Sequence, residues 1–228
     1  MTTVSDLDQH VRALKRNPCG VLLAVQLIGL LAYPYLGDQP VGRAIFGLLG
    51  LVVLTLAVRA VRLTPALTWV AIVLGIPVVV LTVLEGVTPD NSAIVATSGL
   101  AHAAFYGYTA WALIRYMFQD DVVTTDELWA TGATFTVVAW AFAYLYAAVQ
   151  VFWPGSFTAA VDADVPRTWI DLLFLSVTTL TSTGLSDIVP VKPHARSFVM
   201  VEQIAGMLYL AMVVARVTAL TLRPARKG

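Results

Sequence analysis

Long apolar runs recur along the chain, separated by short stretches rich in charge, proline or glycine. A helix that crosses a bilayer needs about 20 mostly apolar residues, and six runs meet that measure. They cover about Cys19 to Tyr35, Arg43 to Arg62, Leu63 to Leu84, Asn91 to Phe118, Leu128 to Trp153 and Ser197 to Leu222. Pro77 lies inside the third and is expected to bend it. A seventh apolar stretch, Thr168 to Thr183, is too short to span and reads as re-entrant. Helix starts are marked at Thr124-Thr125-Asp126-Glu127, with capping-box spacing, and at Thr168-Trp169-Ile170-Asp171, the weaker aspartate version.

Composition agrees with the pattern. Of the 228 residues, 58% are hydrophobic and 12% charged, against about 25% charged in a soluble domain. The chain cannot cover itself in water, which excludes a soluble enzyme and points to the lipid bilayer as its surroundings. The 14 Lys and Arg balance 14 Asp and Glu, so there is no basic excess for nucleic acid. Cys19 is the sole cysteine and can form no internal disulfide.

Charge also sets an orientation, because Lys and Arg collect in cytoplasmic loops. Six spans put both termini on one side, with Arg12, Lys15, Arg16, Arg59, Arg62, Arg115, Arg216, Arg223, Arg226 and Lys227. The other side holds Arg43, Arg167, Lys192 and Arg196. Both termini are therefore expected in the cytoplasm of a plasma (inner) membrane, with the re-entrant segment entering from outside. The N-terminal run lacks a small-residue cleavage site and reads as an uncleaved anchor.

The residues after the short helix carry the candidate chemistry. Thr178 to Asp187 is small and hydroxyl-rich, with one glycine. Non-helical backbone at membrane depth is tolerated only where it is buried in protein or lines a water-filled path. A half-helix entering from outside aims the negative end of its dipole at the membrane centre. Carbonyls beyond it can replace the hydration water of a cation, and the hydroxyls of Thr181 and Ser182 add oxygen ligands.

This stretch, TTLTSTGLSDIVP from Thr178 to Pro190, resembles the pore signature of tetrameric potassium channels, whose filter reads T-V-G-Y-G-D and is soon followed by Pro. Residue by residue, Ser182 stands at the Thr, Thr183 at the Val, Gly184 at the first Gly, Leu185 at the Tyr, Ser186 at the second Gly and Asp187 at the Asp. The resemblance runs from about Trp129 to the end of the sixth span. Gly206, 19 residues beyond Asp187, falls where such channels carry an inner-helix hinge, and reads either as that hinge or as a close-packing site against the pore helix.

The resemblance implies an all-α membrane protein with six spans and one re-entrant pore helix and filter loop per subunit. Its parts would be a cytoplasmic N-terminus (1–18), a four-helix peripheral domain that is voltage-sensor-like but non-sensing (19–118), a linker (119–127), a pore domain (128–222) and a cytoplasmic C-terminus (223–228). A ring of carbonyls needs several contributors, so a homotetramer is expected. It would pass monovalent cations, potassium first and possibly sodium, through Thr181, Ser182, Thr183, Gly184, Leu185 and Ser186, with Asp187 ringing the outer mouth. The filter is degenerate: Ser186 has to adopt a backbone shape that glycine takes freely, and Leu185 lacks a phenol to brace the loop. Reduced selectivity follows. The alternatives are a non-selective channel and a non-conducting scaffold or regulatory subunit.

Other residues refine the picture. The fourth span has only Arg115 rather than a charge at every third position, so steep voltage gating is not expected. Glu202, an acid inside the sixth span, either supports the filter from behind or sits at the interface. Lys192, His194 and Arg196 either tune the mouth or pair with Asp162, Asp164 or Asp171. His102, Gln26 and Gln150 read as hydrogen-bonded core residues. No enzyme motif, cofactor or small-molecule substrate is indicated.

Overall fold

A computed structural model describes residues 17–36, 50, 52–53, 55–60, 66, 68–88, 91–119 and 124–221. The N-terminal cations Arg12, Lys15 and Arg16, the loop cations Arg43 and Arg62, and the C-terminal residues from Leu222 onward lie outside these. So do residues 120–123 of the 119–127 linker.

Among the described residues, six long or half-length helices and one small ribbon follow in order: α1 (Pro18–Leu36), α2 (Thr68–Val87), α3 (Ser92–Met117), α4 (Thr125–Phe152), β1 (Phe157–Thr158), α5 (Trp169–Leu180), β2 (Val189–Pro190) and α6 (Pro193–Thr221). Residues 52–53 and 55–60 are also helical and belong to the second apolar run. Local chemistry explains most of the ends. Asn91 Oδ1 accepts the amides of Ala93 and Ile94 at the start of α3, satisfying donors that have no partner inside the helix. Thr124 Oγ1 accepts the Glu127 amide at the start of α4. Helices α1 and α6 both begin on proline, whose missing N–H costs nothing there. For α6 this starts the helix a turn before the expected Ser197. Helix α2 starts at Thr68 rather than Leu63, beyond Pro65, and continues through Pro77.

The two predicted capping boxes exchange rank. Thr168 and Asp171 make both reciprocal bonds. At α4 only the threonine half forms, because the Glu127 carboxylate turns to Arg216.

Among the described residues, three helices are long and apolar enough to cross a membrane: α2, α4 and residues Pro193–Thr218 of α6. The α1 stretch Pro18–Tyr33 is apolar but shorter. Helix α3 has 26 residues, yet Ser98, His102 and Thr109 dilute its apolar character. Those polar groups are buried against neighbours, so α3 gains its place by packing rather than by hydropathy.

Helix α4 is the central element, with α1, α3, α5 and α6 packed around it. Its small residues allow this: Ala130, Ala133, Ala139, Ala143 and Ala148 are all buried. One apolar cluster joins Leu22 of α1, Phe105 and Tyr106 of α3, Val137 and Trp140 of α4, and Leu173 and Leu180 of α5. The core thus crosses the boundary expected between residues 19–118 and 128–222.

Candidate functional site

Helices α4 and α6 run antiparallel, with the short α5 inserted between them at one end. That end is tied by the β1–β2 ribbon, which pairs Phe157 with Pro190 and Thr158 with Val189. Val191 N also donates to Ser156 O at 2.9 Å. At the opposite end Arg216 of α6 meets Glu127 of α4 at 3.2 Å, and Tyr209 donates to the Thr131 carbonyl at 2.6 Å.

Helix α5 starts beside the last turn of α4, where Gln150 exchanges hydrogen bonds with the Arg167 backbone at 2.8 and 3.0 Å. It ends at the middle of α6. A Cβ placed on Gly206 would overlap the Leu180 carbonyl oxygen and come within 3.0 Å of Leu180 Cα. Gly206 is the fourteenth of 29 residues in α6, a helix about 43 Å long. The 12 residues of α5 span about 18 Å. Helix α5 thus starts at one end of the long α4–α6 pair and stops near the midpoint of α6. Gly206 is therefore a close-approach site in this conformation, in a helix that runs through it without interruption.

The chain leaves α5 by a Schellman turn. Ser182 N donates to Thr179 O at 2.9 Å and Thr183 N to Thr178 O at 3.1 Å, the paired bonds that define this helix end. Ser182 follows the C-cap Thr181 and takes the left-handed conformation, φ 58°. Gly184 is left-handed too, φ 65°. Ser186 does not have positive φ, so the conformational burden expected at Ser186 falls on Ser182. The reason is local: a Schellman turn needs its left-handed residue directly after the cap, whatever a family alignment implies.

Hydroxyls reinforce the turn. Thr181 and Thr183 Oγ1 lie 3.0 Å apart, and both point at the Thr178 carbonyl, 3.3 Å away. Ser186 Oγ accepts the Ile188 amide at 3.0 Å. Ser182, Thr183, Gly184 and Asp187 are exposed on the single chain, as is Leu185 at 78%. Loop 181–187 thus follows the half-helix and is largely exposed on the single chain.

Behind the loop, Glu202 is fully buried. Tyr146 of α4 and Ser176 of α5 each donate a hydroxyl hydrogen bond to its carboxylate. The Ala139 carbonyl oxygen lies 2.9 Å from Ser176 Oγ, a second acceptor for the same proton. Glu202 therefore joins α4, α5 and α6 at one point. Tyr146 and Ser176 escape a reading of the sequence alone; a hydroxyl on the apolar α5, about one turn from its end, is the available signal.

The outer cations bond carbonyls rather than acids. Lys192 donates to Pro154 O at 2.6 Å, and Arg196 to Pro190 O at 3.1 Å. His194 stacks on Trp153 with centroids 4.2 Å apart. Among the described residues none of the three pairs with Asp162, Asp164 or Asp171. Away from the loop, His102 Nδ1 bonds Ser98 O at 2.8 Å, and its ring stacks on Tyr144. Gln26 accepts from Thr136 at 2.7 Å. Arg115 lies over Trp111. No group of three His, Cys, Asp or Glu that could hold a metal ion occurs among the described residues.

A model of the ion-channel family matches residues 103–223, more than half the chain and all of the α4–α5–α6 unit. The chain belongs to the ion-channel family. No curated protein and no solved structure matches it. Its half-helix, loop and flanking long helices are accordingly the pore unit of a membrane ion channel.

Proposed function

We propose that this channel conducts monovalent cations passively, potassium first, through a ring of four loops from a homotetramer. The observation that carries the proposal is the ending of α5 at the midpoint of α6, followed by a polar loop exposed on the single chain. Such backbone has no place in lipid and calls for burial by other copies around a water-filled path.

In this reading the carbonyls of Ser182 to Leu185 dehydrate the ion, with Thr181, Ser182 and Ser186 hydroxyls beside them. Helix α5 contributes the negative end of its dipole, and four copies of Asp187 concentrate cations at the mouth. Glu202 supports the filter through Ser176, and Gly206 doubles as the place where α6 bends on opening. The channel lies in the plasma membrane with six spans and cytoplasmic termini. Arg115 alone gives it no steep voltage dependence.

Replacing Gly184 by Ala tests this. The positive φ at Gly184 disfavours any Cβ, while a Cβ there meets no neighbouring atom within 4 Å. Flux from liposomes should vanish while the tetramer persists; surviving flux would place the ion path elsewhere. A second reading, a non-conducting scaffold, is favoured by Leu185 and Ser186 where the family's Tyr and Gly belong. Leu185→Tyr with Ser186→Gly separates the two: a conducting pore changes selectivity, whereas a silent one gains flux.

A further inference from the structure

Away from the pore, a groove of about 570 Å³ opens between residues 55–59 and α2, within the range of about 300–1,000 Å³ that holds small ligands. Thr55, Val58 and Arg59 form one wall, and Ile72, Gly75, Ile76, Val79 and Val80 the other. Arg59 and Ile72 are the residues of the two walls closest to each other in sequence, so depth is measured from their end. Arg59 and Ile72 lie nearest it, Thr55 and Ile76 one turn further, and Val79 and Val80 deepest. Thr55 and Arg59 are four residues apart and share a helix face. The groove therefore grades from guanidinium to hydroxyl to hydrocarbon along a helix of membrane-spanning length. Arg59 is exposed and makes no ion pair among the described residues.

We propose that this groove binds one anionic phospholipid, its phosphate on Arg59, its glycerol region beside Thr55 and an acyl chain along Ile76, Val79 and Val80. The order of the three chemistries matches the order within a phospholipid. The formal positive charge at the open end selects an anionic headgroup over a zwitterionic one, since a basic residue near the headgroup layer is worth about fivefold in affinity. The inference concerns the N-terminal helices and holds whether or not the pore conducts.

The test is native mass spectrometry of the full chain in mild detergent, titrated with phosphatidylglycerol or phosphatidylcholine. One phosphatidylglycerol is expected to stay bound about fivefold more tightly than phosphatidylcholine. Arg59→Gln should bring the two lipids level, and Arg59→Lys should preserve most of the preference. Ile76→Trp, which fills the groove and leaves Arg59 intact, should remove the tight adduct altogether. Equal retention of both lipids by the unaltered chain would overturn the proposal. So would an unchanged preference in Arg59→Gln, or a tight adduct that survives Ile76→Trp. Absence of any lipid from assembled protein would show that another copy covers the groove, and would also overturn it.

Discussion

At one end of the α4–α6 pair a carboxylate, Glu202, is buried with two hydroxyl partners; at the other, Glu127 meets the guanidinium of Arg216. The two acids hold the same pair of helices by different means. Glu202 binds three elements at once, in a place water does not reach, and the pore helix is one of them. Glu127 binds only α4 to α6, near the helix ends, where Arg216 keeps some exposure and also lies over Phe118. Hydrogen bonds to a buried acid resist salt, whereas an ion pair with solvent access is screened by it. The two ends of the helix pair should therefore respond differently to salt.

The contrast can be broken at four places, in decreasing order of effect. Gly206→Val drives side-chain atoms into the Leu180 backbone, which cannot move without displacing α5. A cost above about 4 kcal/mol is expected, read as failure to recover folded protein on size exclusion. Glu202→Ala strands the Tyr146 hydroxyl, leaves Ser176 only the Ala139 carbonyl, and opens a cavity, at about 2–5 kcal/mol. Thermal unfolding in detergent measures it, and Glu202→Gln, which keeps an acceptor, should lose less. Arg216→Gln should cost about 1.5–3 kcal/mol and, unlike Glu202→Ala, should flatten the salt dependence of the unfolding temperature. Thr168→Ala removes half of the α5 capping box, at about 1 kcal/mol. If Arg216→Gln proved as salt-sensitive as the unaltered chain, the distinction between the two ends would fall.

How far the sequence reaches depends on the distance over which each feature is decided. The helices were legible because apolar runs and caps are local: Thr168 with Asp171 and Asn91 before Ser92 announce their helices from a few residues. The shortness of α5 was legible too, since its apolar run is too short to span. The Glu202 cluster was not, since Tyr146 and Ser176 stand 56 and 26 residues from it in sequence. Nor was the Glu127–Arg216 pair, which spans 89 residues and costs α4 its expected capping box. The left-handed residue went to Ser182 rather than Ser186 because the hydrogen bonds that end α5 decide it. Family spacing says which residues form the loop, and helix-end chemistry says what shape it starts in.

The most direct measurement is ion flux from liposomes holding the purified channel, comparing potassium and sodium gradients in one preparation. The account predicts flux of monovalent cations, potassium at least as fast as sodium. Absence of flux for both ions, from protein confirmed as a tetramer, would contradict it.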